Sequence, residues 1–110
     1  MSKSDILQSE MAKDFRKGLL KFFILKMLDR ENMHGYAMIE RIEDLSGWKP
    51  SPGSLYPALA QLHASRMINV HIHGLRKTYS ITGKGKDLVK QLNDNFDDGL
   101  KAIKTIFENL

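Results

Sequence analysis

The sequence predicts a mainly α-helical domain carrying one small β-hairpin, and three observations support that class. Apolar residues recur at helical spacing in several separate stretches. Strict alternation of apolar and polar residues is confined to two short runs, 68–73 and 78–82. The 110 residues leave room for one small domain, and the apolar share of 42% with a charged share of 27% is that of a chain able to build a core.

The elements follow in chain order. Between Met1 and Asp14, the residues Ile6, Leu7, Met11 and Ala12 stand at helix-like separations, which suggests an N-terminal helical arm. Phe15 to Leu28 (FRKGLLKFFILKML) is too rich in apolar residues for one helical stripe and too long for one strand. It reads as a helix buried on two sides, one serving its own core and the other a helix of a second subunit. Asp29-Arg30-Glu31-Asn32 interrupts the pattern. A second helix is expected in HGYAMIERIEDLSG, with Tyr36, Ile39, Ile42 or Glu43, and Leu45 inward and Gly47 as its stop. Trp48 is expected to close the core beneath the following turn. Ser51 can cap a third helix and Pro52 can occupy its first turn, where a missing N–H costs nothing. That helix should run to about Arg66 with Leu55, Leu59 and Leu62 inward, leaving Ser54, Pro57, Ala58 and Gln61 on a small, polar outer face.

Ile68 to His73 alternates as a half-buried strand, Gly74-Leu75-Arg76-Lys77 reads as a turn or short loop, and Thr78 to Thr82 alternates again. The pair is a hairpin with two cations near its tip. From about Lys84 a last helix carries Leu88, Leu92, Phe96, Leu100, Ile103, Phe107 and Leu110 in one stripe, longer than the small domain before it can cover. An open stripe of this length points to a subunit interface. The expected organisation is therefore an arm and globular domain over residues 1–86 and a dimerisation helix over residues 87–110.

Composition excludes several chemistries. With no cysteine, the chain has no disulfide framework, thiolate zinc site or cysteine nucleophile. That fits a cytoplasmic protein, as do a first ten residues without an apolar block and a longest apolar run, Phe22 to Leu25, far too short to span a bilayer. His63, His71 and His73 could be weighed as a metal set, but no obvious acidic fourth ligand accompanies them, and solvated or phosphate-facing histidines are the favoured reading. His34 reads as a capping or structural residue, and Gly83-Lys84-Gly85-Lys86 lacks the spacing of a phosphate loop and reads as a loop into a helix. Asp97 and Asp98 are adjacent and diverge on a helix, so they do not form an acid and base pair. No catalytic serine, histidine and aspartate set stands out. Neither an enzyme nor a cofactor is expected.

The net charge of +4 is unevenly distributed. Residues 1–48 hold eight basic and eight acidic side chains, residues 49–90 seven basic against the single acid Asp87, and residues 91–110 two basic against four acidic. The positive segment coincides with the third helix and the hairpin, which suits a polyanionic partner. Helices, hairpin and charge together describe a winged helix-turn-helix. Its third helix would enter the major groove of DNA, where Gly53 and Ser54 permit close approach of the backbone. Tyr56 can meet a phosphate or sugar, Gln61 a base edge, and Lys49, Arg76 and Lys77 the phosphate backbone or an adjacent groove.

The run HGYAMIERIEDLSGWKPSPGSLYPALAQLHASRMI, followed by RKTYSITGKGKDL, resembles a PadR-type transcriptional regulator, a winged-helix family, over about Phe15 to Leu92. The most specific blocks are His34-Gly35-Tyr36, Pro52-Gly53-Ser54-Leu55-Tyr56-Pro57-Ala58-Leu59, and Tyr79-x-Ile81-Thr82-x-x-Gly85. The resemblance implies a dimeric repressor whose last helix packs on the partner's first helix. The family's DNA-contacting positions fall on Ser51, Gly53, Ser54, Tyr56, Pro57, Arg76 and Lys77. The matching interface would use Leu19, Phe22 and Phe23 with Leu92, Phe96, Leu100, Ile103 and Phe107. Members with a large C-terminal domain continue well beyond this length, so the chain is closer to the short subgroup that includes regulators of multidrug transporters. Some of those take flat aromatic cations between the first and last helices of the dimer, beside an aromatic residue of the last helix. The last helix here has no tryptophan, and Phe96 with Phe15 is the nearest equivalent for a small aromatic effector. The expected partner is an inverted-repeat operator in double-stranded DNA, read by recognition helices about 34 Å apart. The alternatives from other classes are a winged-helix protein-interaction module and a metal-responsive regulator using His63, His71 and His73.

Overall fold

Leu20, Ile24, Leu25 and Leu28 recur at steps that keep them on one side of a helix, and in α1 (Lys13–Arg30) these four are buried. The computed structural model describes residues 13–110, so nearly all of the expected N-terminal arm lies outside the described residues. Among the described residues, the second apolar side of α1 is left uncovered: Phe15 and Phe22 are exposed and Leu19 is half-buried. Phe23 and Met27, half-buried, pack against the core.

After α1 comes a strand that the sequence did not announce. β1 (Met33–His34) has two residues and pairs antiparallel with β3, Met33 opposite Tyr79 and His34 opposite Thr78. It leads directly into α2 (Gly35–Ser46), whose buried residues are Gly35, Met38, Ile39 and Ile42. Tyr36 and Leu45, expected inward, are instead exposed. The reason is helical phase: at about 100° per residue these two lie on opposite sides of the helix, at the two edges of the stripe centred on Ile39 and Ile42 rather than within it. Gly47 ends α2 at φ 80°, donating its N–H to the Glu43 carbonyl at 2.8 Å. Trp48 packs half-buried against the core, with the Arg16 guanidinium 5.6 Å from its ring centre.

α3 (Pro52–Ala64) starts as expected. The Ser51 hydroxyl accepts from the Ser54 N–H at 3.2 Å, and Pro52 sits at the first turn. Leu55, Leu59 and Leu62 are buried, and Ala58 joins them; placed on the outer face by composition, it lies at the steps of three and four that belong to the inner stripe. The helix closes before Arg66, which takes φ 62° while its N–H donates to the His63 carbonyl and the Met67 N–H to the Leu62 carbonyl, both at 3.0 Å. These are the two bonds of a Schellman motif, with arginine in the position that glycine usually holds.

β2 (Ile68–His73) and β3 (Arg76–Ile81) form the hairpin, in a sheet ordered β1-β3-β2. The expected four-residue turn is shorter. Arg76 and Lys77 belong to β3, opposite His73 and Ile72, and only Gly74 and Leu75 connect the strands. Gly74 has φ 62° at the first central position, which matches the right-handed twist of a tight hairpin. Ile68, Tyr79 and half-buried Val70 and Ile81 face the helices.

α4 (Gly83–Asn109) is capped by Thr82, whose hydroxyl accepts from the Gly85 N–H at 3.1 Å and donates to the Arg66 carbonyl at 2.7 Å. Gly83 to Lys86, read as a loop, is therefore the first turn of the helix. Here α4 passes so close to the sheet that a Cβ on Gly85 would lie 2.4 Å from the Met67 carbonyl oxygen. Val89 is the last buried residue. The helix runs without interruption through the expected division at residues 86 and 87 and carries on beyond the core.

Candidate nucleic-acid interface

The outward side of α3 is built from residues at the complementary phase to its buried leucines. Pro57 and Gln61 are exposed and Ser54 is half-buried, at steps of three and four along one face. Ser51 is exposed at the N-cap, its hydroxyl also 3.2 Å from that of Ser54. Lys49 is exposed beside fully buried Pro50. At Gly53 a Cβ would meet nothing nearer than the Ser51 hydroxyl at 3.8 Å, and its φ is not in the positive region. The fold itself therefore places no demand for glycine there. Tyr56, 45% exposed, turns partly aside: its hydroxyl is 2.8 Å from where a Cβ on Gly35 would stand, so the ring lies against the start of α2.

The hairpin brings its cations close to this surface. Arg76 and Lys77 are exposed, and Leu75 at the tip is fully so. Between the hairpin, Tyr56 and the first turn of α2 lies an open groove of about 420 Å³, lined by Tyr36, Tyr56, Leu75, Arg76 and Lys77 among others, with the almost fully buried Tyr79 in its wall. All three tyrosines of the chain line this one groove. The sequence alone singles out neither Tyr36 nor Tyr79 for this groove: Tyr36 reads as part of a helical period and Tyr79 as one position of an alternating strand. Burial, and secondarily the nearby Tyr56, raises the Tyr79 pKa above the usual tyrosine value.

His34 also borders the groove. It holds the N-cap position of α2 but makes no side-chain cap bond; its Nδ1 donates to the Lys77 carbonyl at 3.0 Å, which fixes the protonated nitrogen. His71 and Ser80 are joined across the sheet through Nε2 and the hydroxyl at 3.0 Å. His71 and His73 share a strand face, whereas His63 stands on α3. Among the described residues, no group of three or more His, Cys, Asp or Glu side chains is gathered in a way that could hold a metal ion.

A second surface is apolar. On α4, Phe96, Leu100, Ile103 and Phe107 are exposed and Leu92 is half-buried. Ile106, not anticipated, adds to the exposed set. Phe15 and Phe22 of α1 are also exposed. The two helices are tied by a hydrogen bond from the Lys26 ammonium to the Asn93 side-chain carbonyl.

The model of the transcriptional regulator PadR-like family matches residues 24–91. The chain belongs to this family. Among curated relatives, the transcriptional regulator YqjI of Escherichia coli is 34% identical over 93 residues, covering 82% of this chain and 45% of that protein. This chain thus spans about half the length of the curated relatives it matches first. A transcriptional regulator from Clostridium thermocellum has a TM-score of 0.72 at 25% identity, over 84% of this chain and 93% of its own. Bacillus subtilis PadR, solved in complex with operator DNA, has a TM-score of 0.58 at 26% identity, over 66% of this chain and 45% of its own. The PadR-like family is one of transcriptional regulators, and the mainly helical fold with its small antiparallel sheet is the winged helix of these neighbours. Among the described residues, no helix is long and apolar enough to cross a membrane.

Proposed function

We propose that this chain is a sequence-specific, DNA-binding transcriptional regulator that acts as a homodimeric repressor. The observation that carries this is spatial: Tyr56 of α3 and the exposed hairpin cations Arg76 and Lys77 line one groove, and all three belong to the segment that holds seven basic residues and one acid. α3 enters the major groove, with Ser51, Gly53, Ser54, Tyr56, Pro57 and Gln61 at the DNA and Lys49 with the wing cations on phosphates. Bacillus subtilis PadR, with the same family fold, was solved on operator DNA, which supports the assignment. Residues 87–110 serve dimerisation, through Leu92, Phe96, Leu100, Ile103 and Phe107 against Leu19, Phe22 and Phe23 of the partner's first helix. The support is the exposed apolar face of α4, which no described residue of this chain covers. Phe15 and Phe96 flank the space in which a small aromatic effector would relieve repression. A role on DNA carries with it the expected cytoplasmic location.

Selection of duplexes from a random pool tests the reading. An inverted repeat with half-sites roughly 10 base pairs apart is the expected product. Recovery of unrelated sequences would contradict sequence-specific recognition.

A further inference from the structure

The groove between α2, Tyr56 and the wing holds chemistry that major-groove docking of α3 leaves unused. Its floor is the first turn of α2, a helix of 12 residues whose N-cap, His34, offers no side-chain bond to the amides behind it. Those amides have no partner within the helix, and the helix dipole adds partial positive charge at the same end. Its wall carries Tyr79, which is 5% exposed and whose hydroxyl has no hydrogen-bond partner among the described residues. Among those residues, no side-chain nitrogen or oxygen is both sealed from solvent and unpaired, so the Tyr79 hydroxyl is open to solvent, and Tyr79 lines the groove. Burial keeps that hydroxyl protonated and therefore a donor. Tyr36 lies on the rim. Arg76 and Lys77 outnumber the one acid lining the groove, Glu40.

We infer that this groove is a phosphate cradle, in which the Tyr79 and Tyr36 hydroxyls and the first amides of α2 hold one backbone phosphodiester of the duplex in each subunit. Donors converge on the site from two elements, α2 and β3. Amide, phenol, guanidinium and ammonium groups together suit an anionic oxygen acceptor of tetrahedral shape. The assignment of the phosphate to DNA rests on the function proposed above, because the groove lies between α3 and the wing, the two elements given to the duplex. The Tyr56 ring, held against Gly35, forms one side of the cradle and links it to the recognition helix.

The full chain and its Tyr79→Phe variant, which keeps the ring, are titrated by fluorescence anisotropy with a selected duplex and with copies carrying single neutral methylphosphonates. The variant is expected to bind about tenfold more weakly, with unchanged melting temperature and dimer mass. One methylphosphonate position per half-site should weaken the wild type by a similar factor and cost the variant nothing further. Wild-type affinity in the variant, or losses that multiply at every position, would overturn the cradle and leave DNA binding intact. If the wild type binds no duplex, the DNA reading fails, and NMR shifts of the Tyr36 and Ala37 amides with inorganic phosphate decide the site. Shifts that vanish in Tyr79→Phe would assign the cradle to a small phosphorylated ligand, and no shifts would overturn it.

Discussion

At the scale of single residues, two glycines separate the demands of folding from those of binding. Gly85 answers to the fold: a Cβ there meets the Met67 carbonyl at 2.4 Å and the Ile81 side chain at 2.7 Å, and backbone cannot yield as a flexible side chain can. Gly85→Ala should lower unfolding stability by about 2–3 kcal/mol, measured by urea denaturation. Gly53 is the opposite case, since its Cβ position meets only the Ser51 hydroxyl, at an ordinary contact distance of 3.8 Å. Gly53→Ala should leave the fold unharmed or stabilise it by about 0.5–1 kcal/mol through helix propensity, while weakening DNA binding by obstructing the backbone approach. A variant that binds DNA as well as the wild type would remove Gly53 from the interface. Tyr56 belongs to both worlds, half exposed toward the proposed duplex and half packed on Gly35.

At the scale of elements, α4 poses the clearest question. Its first two turns are fixed by the Thr82 cap and by Val89, but beyond them the stripe from Phe96 to Phe107 has no cover among the described residues. Leu100→Asp, at a residue 50% exposed in the single chain, should leave melting of the domain nearly unchanged while converting dimers to monomers in sedimentation. Operator affinity should fall sharply with it, because the second half-site is no longer bound intramolecularly. A dimer that persists would place the interface elsewhere. The long helical periods and the alternating hairpin strands were legible because each repeats its signal over many residues. β1 was not, since two residues carry no period and its existence depends on pairing with Thr78 and Tyr79 some forty-five positions later. The turn was overestimated for a related reason: Arg76 and Lys77 lack an apolar alternation, yet the positive φ of Gly74 lets two residues reverse the chain and draws both cations into the ladder.

At the scale of the whole molecule, charge and shape divide the labour. The basic segment gathers the exposed side of α3 and the wing, whereas the acidic end of the chain lies on the helix proposed to join two subunits. The outward positions of α3 could be read from its own stripe of leucines. The groove of three tyrosines could not, because it joins residues from α2, α3 and β3 that only the folded chain brings together. The central claim is that this PadR-family chain recognises a particular operator, and anisotropy with DNA from upstream of its own gene against random DNA of equal length tests it most directly. With about six to ten phosphates neutralised per dimer, affinity for either should fall on the order of a thousandfold between about 50 and 200 mM salt. A preference for the upstream DNA that survives the higher salt is the predicted result. Absence of binding to both would contradict the account.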